Sequence, residues 1–185
     1  MIMTRFIMTR FMARFTIARF LPALAVIAAL CAFATCETQA REAVRFDGDV
    51  APGTIVVKTG ERRLYYVLPG GQALRYPVGV GRAGRTWTGA KYIDGKYRNP
   101  AWSPPAVIRR DKPGLPEVIA GGSPKNPMGV AALTLSGGDQ YAIHGTNAPG
   151  SIGGFVSYGC IRMHNSDILD LFDRVGYGTP VIVTR

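Results

Sequence analysis

The stretch IHGTNAPGSIGGFVSYGCIRMHNSD, residues 143–167, holds both histidines of the chain and one of its three cysteines. A thiol attacks a carbonyl as thiolate, and a nearby imidazole can take its proton. His144 closes an apolar run, and Cys160 follows Ser157-Tyr158-Gly159. Glycine just before a nucleophile permits a tight turn whose amide N–H groups point outward, as an oxyanion hole requires. Taken alone, the bland alternatives are an inert buried cysteine and a histidine packed at a strand end.

The other two cysteines, Cys31 and Cys36, belong to a different kind of sequence. Residues 1–40 carry Arg5, Arg10, Arg14 and Arg19, a single acid, Glu37, and no glycine. The arginines precede LPALAVIAALCAFA, residues 21–34. A basic segment, an apolar segment and small residues before a polar stretch describe a secretory signal. The apolar run is short of the roughly 20 residues of a membrane span. Cleavage after Ala40 or Ala34 fits, with an uncleaved anchor as the alternative, and Met3, Met8 and Met12 leave the true start codon open. The absence of serine argues against a mitochondrial presequence, and bulky Thr35 argues against lipidation at Cys36. The expectation is an exported protein of the periplasm or cell envelope, with residues 41–52 a short linker and residues 53–185 one domain.

Removing residues 1–40 lowers the net charge from +10 to +7 and leaves Cys160 as the lone cysteine. Exported proteins usually spend cysteine on disulfides. A single thiol needs another reason, and catalysis is one. The basic residues are spread out, without an aromatic-interleaved patch, so nucleic acid is not the expected partner. His144, Cys160 and His164 do not read as a metal site, because zinc sites have tighter paired spacing or a fourth ligand. No cofactor is expected.

The sequence after residue 40 is dense in glycine and proline, which favours turns over helices. Residues 54–58, 62–68, 72–80, 131–136, 140–144 and 180–184 read as strands, the second and third joined across Pro69-Gly70-Gly71. One helix is expected after Asn165 or Ser166, either of which can cap it, with Ile168, Leu169, Leu171, Phe172 and Val175 on its apolar face and Gly176 ending it. Residues 84–127, with seven prolines from Pro100 to Pro127, read as a long functional loop region. Trp87, Tyr92 and Trp102 there either line a cleft or simply pack.

With these residues in view, the chain resembles the L,D-transpeptidase catalytic domain, the YkuD or ErfK-type family. The resemblance rests on His144-Gly145-Thr146-Asn147, on Ser157-Tyr158-Gly159-Cys160-Ile161-Arg162-Met163 and on Asn165. It extends through P-A-W-S-P-P (100–105), I-A-G-G (119–122), N-P-M-G-V-A-A-L-T-L (126–135) and G-T-P-V-I-V (178–183). It implies a mainly β fold, an L,D-transpeptidase-like β-sandwich with one helix near the active site and long loops. It implies a cysteine acyltransferase acting on peptidoglycan stem peptides and open to carbapenem acylation. Cys160 would attack the carbonyl of the third stem residue and release D-Ala. The acyl group would pass to an amine of another stem, to a lysine of an outer-membrane protein or lipoprotein, or to water.

The same resemblance assigns roles. His144 is the base, with the Gly145 carbonyl orienting its other ring nitrogen. The N–H groups of Tyr158, Gly159 and Cys160 form the oxyanion hole. Arg162, Ser157, Tyr158 and Asn147 contact substrate. The alternative for Arg162 is a structural salt bridge, and for Asn165 a helix cap. The family commonly has histidine where this chain has Tyr158, whose phenol is then free to hydrogen-bond substrate. That departure keeps open a catalytically decayed wall-binding module.

Overall fold

In a computed structural model, which describes residues 41–185, eleven short strands surround one principal core. They are β1 (Glu42–Arg45), β2 (Ile55–Lys58), β3 (Arg63–Leu68), β4 (Gln72–Pro77), β5 (Val80–Gly81), β6 (Gly89–Arg98), β7 (Ala131–Leu135), β8 (Ala142–His144), β9 (Phe155–Ser157), β10 (Ile161–Arg162) and β11 (Pro180–Thr184). Two helices interrupt them, α1 (Ala106–Asp111) and α2 (Asn165–Arg174), together with a single 3-10 turn at Pro149–Ser151.

Nine strands hydrogen-bond in the order β1-β4-β3-β2-β11-β6-β7-β8-β10, and β5 pairs with β9 apart from them. Strand β6 joins the two halves. Its first residues pair with β11, and from Ile93 onward it pairs with β7, with a register shift between Ile93 and Gly95. An irregularity of this kind bends a strand and increases local twist, which lets one strand serve two layers.

Alternation decides which face is buried. Ile55, Val57 and Leu64 point into the principal core with Ile93, Leu133, Ile143, Ile161, Met163, Ile168 and Leu171. The opposite face of β2–β4 carries Val56, Tyr65, Val67 and Ala73, covered by Phe46. The expected linker therefore does structural work: β1 pairs with β4 and delivers Phe46 onto that second cluster. The β3–β4 turn uses Gly70 and Gly71 at φ 75° and 69°, a region that side chains disfavour.

Two further expectations need correction. The run 72–80 is not one strand. It ends at Pro77, which cannot donate to a ladder, and Val80 starts a separate pairing with β9. The expected loop 84–127 contains β6, the longest strand of the described residues. Charged and glycine residues hide its pattern, yet Ile93 is fully buried and Lys96 turns its ammonium onto the Phe172 and Val175 carbonyls at the end of α2.

Residues 99–130 are irregular apart from α1, and Asn126 holds them together. Its buried amide donates to the Pro100, Ile119 and Ala120 carbonyls and accepts from the Met128 N–H. Asn126→Ala strands those backbone groups, and we expect a loss of about 2–4 kcal/mol. Denaturant unfolding of the two proteins measures it.

Candidate active site

The two central strands of the site, β8 and β10, lie side by side and parallel, with Ile161 opposite Ile143 and Arg162 opposite His144. Side chains alternate along a strand. Ile143, Ile161 and Met163 enter the core, so His144, Cys160 and Arg162 face the other way. That way lies a cleft of about 790 Å³. The cleft is lined by His144, Ser157, Tyr158, Cys160 and Arg162, together with Trp102 and the α1 residue Ile108. The sequence pattern thus brings Cys160 and His144 into one cavity across adjacent strands.

His144 is almost fully buried, and its Nδ1 lies 2.6 Å from the Gly145 carbonyl oxygen. Only a protonated Nδ1 can bond a carbonyl, so Nδ1 carries the hydrogen and Nε2 is left as the base. Burial, and then the positive charge of Arg162, hold His144 down to about 4, against the upward pull of the Gly145 and Pro127 carbonyls. Burial also pushes the Cys160 thiol up, while the Ala142 backbone and Arg162 pull it back. At neutral pH the resting pair is a thiol and a neutral imidazole.

The loop before Cys160 is pinned by Ser157. The buried Ser157 hydroxyl donates to the Cys160 carbonyl at 2.6 Å and accepts from the Gly159 N–H at 3.1 Å. Two expectations change here. Ser157 spends both hydrogen-bonding roles inside the loop, and the Gly159 N–H turns inward, away from an oxyanion. The N–H groups of Tyr158 and Cys160 have no protein acceptor among the described residues. Gly159 sits at φ 124°, and a Cβ there would lie 2.3 Å from the Tyr141 ring, so no other residue fits.

The Tyr158 ring lines the cleft, but its phenol is not free for substrate: it donates to Asp111 at 2.8 Å. Arg82 bonds the same carboxylate oxygen at 2.8 Å and lays its guanidinium 4.0 Å from the Tyr158 ring centre. The phenol and then Arg82 hold the Asp111 carboxyl below its usual range. This cluster ties the end of α1 to the wall of the cleft. The sequence held no local sign of it, because Asp111 and Tyr158 are 47 residues apart.

Other residues fall differently from expectation. Asn147 is exposed, donates to the Pro124 carbonyl and does not line the cleft. The N-cap of α2 is His164, not Asn165 or Ser166, and no side chain caps it. The Asn165 side chain instead accepts from the Thr146 N–H at 2.9 Å and fixes the turn after His144. Val175 is the C-cap of α2, one residue before Gly176. Trp102 lines the cleft, Tyr92 is exposed outside it, and Trp87 packs behind the Cys160 loop. Arg162 makes no ion pair among the described residues, and its buried Nε has no partner. A guanidinium held this way is open to an anion.

The pKa direction has a kinetic consequence. An imidazole accepts the thiol proton only while it is neutral. The acid limb of Cys160 acylation should therefore fall near pH 4, well below the ordinary 6.5 of histidine. A pH–rate profile with an activated ester checks this, and an acid limb at 6.5 contradicts it.

Residues 52–183 match the family model described as YkuD, the L,D-transpeptidase catalytic domain. A Salmonella typhimurium protein named L,D-transpeptidase ErfK/SrfK is 46% identical over 136 residues, 69% of this chain and 42% of that protein. The L,D-transpeptidase YkuD of Bacillus subtilis is 38% identical over 135 residues, 72% of this chain and 67% of its own length. The chain thus spans less than half the length of its ErfK-type relatives. Among solved structures, an L,D-transpeptidase of Enterococcus faecium in a cysteine-to-serine mutant form superposes with a TM-score of 0.57 at 20% identity, covering 73% of this chain and 50% of that one. One from Mycobacterium tuberculosis gives 0.55 at 18%, covering 71% and 57%. These likenesses carry the mainly β fold, and the family model and curated relatives carry the membership: the chain belongs to the L,D-transpeptidase catalytic-domain family.

Proposed function

We propose that the protein is a peptidoglycan L,D-transpeptidase working through a thioacyl-enzyme on Cys160. The observation that carries this reading is the Cys160–His144 pair, His144 ending β8 and Cys160 standing just before the parallel β10, both lining one cleft inside a chain of this family. Its donor is a stem tetrapeptide. The Cys160 sulfur attacks the carbonyl carbon of the third residue as His144 Nε2 takes the thiol proton. The oxygen of the tetrahedral intermediate becomes negative and is met by the Tyr158 and Cys160 N–H groups. Each such donor is worth about 3 kcal/mol in a dry site. Collapse breaks the amide bond. D-Ala leaves with the proton from the His144 imidazolium, and the peptide remains as a thioester.

An acceptor amine then gives its proton to His144 Nε2 and attacks the thioester, forming a new amide and restoring the thiol. The acceptor is the side-chain amine of a second stem or a lysine of an envelope protein. Export directed by residues 1–40 would bring the enzyme to that substrate, although those residues lie outside the described structure. Arg162 receives a carboxylate of the donor. Its unpaired guanidinium beside the reacting groups supports this role over a structural salt bridge.

Two measurements test the proposal. Purified protein incubated with tetrapeptide muropeptides and an amine should release D-Ala and form an amide adduct, while Cys160→Ala should release none. No release by wild type, or equal release by the variant, refutes it. Product formed only with water shifts the assignment to a carboxypeptidase. Arg162→Lys keeps the charge but loses the planar fork, and should raise KM for the donor by about tenfold, as expected for one charge-assisted hydrogen bond. Steady-state kinetics on tetrapeptides of varied concentration read it.

A further inference from the structure

Trp87 is not among the residues that line the cleft, yet it hydrogen-bonds the peptide group that carries the Cys160 N–H. Its indole Nε1–H donates to the Gly159 carbonyl oxygen at 2.8 Å. Every peptide bond of the described residues is trans. In a trans peptide the carbonyl and the following N–H point in opposite directions within one plane. The Gly159 carbonyl and the Cys160 N–H belong to one such plane. Holding the carbonyl on Trp87, which does not line the cleft, turns the Cys160 N–H the other way, where it meets no protein acceptor among the described residues and Cys160 borders the cleft.

The indole is itself held. It stacks on Tyr141 with ring centres 5.1 Å apart and planes 7° from parallel. The Lys91 ammonium sits 5.5 Å from the Trp87 ring centre and is fixed by the Ser136 carbonyl and Asp139. Tyr141 in turn occupies the space that a side chain at position 159 would need. Ser157 holds the neighbouring peptide the other way, by accepting the Gly159 N–H. Two consecutive peptide groups are thus pinned in opposite senses, one inward by Ser157 and one outward through Trp87.

We infer that Trp87 is a positioning residue, whose indole N–H aims the Cys160 backbone N–H at the oxyanion formed during acylation. This role rests on the acyl-transfer reading above. It predicts a selective defect. Acylation of Cys160 passes through an oxyanion, whereas alkylation by iodoacetamide is a direct displacement of iodide by sulfur and forms none. Losing the indole N–H should slow the first and spare the second.

The decisive variant replaces Trp87 by 3-benzothienylalanine, which keeps the ring shape and its stacking but puts sulfur where the N–H was. Trp87→Phe is made beside it. Rates of acetylation by p-nitrophenyl acetate, which releases p-nitrophenolate, and of alkylation by iodoacetamide are followed on the Cys160 peptide by mass spectrometry. The ratio of acylation to alkylation should fall about tenfold or more in the benzothienyl protein, with alkylation changed less than about twofold and thermal stability nearly kept. An unchanged ratio overturns the inference, and so does a parallel fall of both rates, which would mean that Trp87 acts on the thiol. If Trp87→Phe fails to fold, the benzothienyl protein alone decides. A wild type that releases no D-Ala while the ratio still falls in the variant refutes the transpeptidase proposal and leaves the role of Trp87 standing.

Discussion

Everything at the site depends on the register of two very short parallel strands, β8 and β10. With Arg162 opposite His144 and Ile161 opposite Ile143, one face of the pair is apolar and the other carries the thiol, the imidazole and the guanidinium. A slip of one residue would put Ile161 in the cleft and Arg162 in the core. Ile143, Ile161 and Met163 are essentially unexposed and make that slip costly. Each such side chain contributes roughly 1.5–3 kcal/mol by leaving water. The hydrogen bonds of two-residue pairing could not set the register alone. The chain continues from Met163, whose N–H bonds the His144 carbonyl, straight into α2, which packs on β7 and β8. The core therefore aims the thiol, the imidazole and the guanidinium from behind.

That arrangement carries a cost which explains the electrostatics. It buries an imidazole, a thiol and part of a guanidinium together. Burial disfavours every charged form. His144 goes down, Cys160 goes up, and Arg162 is also pushed down by its burial. The imidazole cannot balance the guanidinium, because a second positive charge would be repelled. The one compensation that the fold leaves out is an anion for Arg162, consistent with a site completed by its substrate.

Much of this was legible in the sequence, for reasons that differ residue by residue. Cys160, His144 and Gly145 stand in a local motif, whereas the two-residue strand at Ile161–Arg162 that sets their face is too short to show as a pattern. Strands β2, β3 and β11 announce themselves by apolar runs between turn residues. Strand β6 does not, because six of its ten residues are charged or glycine and its pairing shifts register where it passes between layers. The linker reading of residues 41–52 failed because Phe46 covers the outer face of a sheet, a contact that no local pattern encodes. Asn165 looked like a helix cap and instead bonds Thr146, a partner 19 residues away. The Asp111–Tyr158–Arg82 cluster was invisible for the same reason. Only the departure at Tyr158 hinted that something local had changed.

For the proposed reaction, the neutral resting pair sharpens where stabilisation must come from. In a site that favoured an ion pair, the thiolate would stand ready before substrate arrived. Here desolvation opposes that ion pair, so proton transfer and attack gain most when new negative charge is stabilised as it forms. Preorganised dipoles supply that stabilisation without reorganising at the moment of reaction. The loop before Cys160 is built accordingly. Ser157 withdraws the Gly159 N–H, Tyr141 excludes any side chain at position 159, and the Trp87 indole fixes the next carbonyl. A backbone restrained at the N–H, the α-carbon and the carbonyl of one residue, Gly159, has little freedom to turn the Cys160 N–H elsewhere. On the proposed reaction, the rigidity of this loop serves a peptide dipole rather than a pre-ionised nucleophile, in keeping with the downward shift of His144 and the upward shift of Cys160.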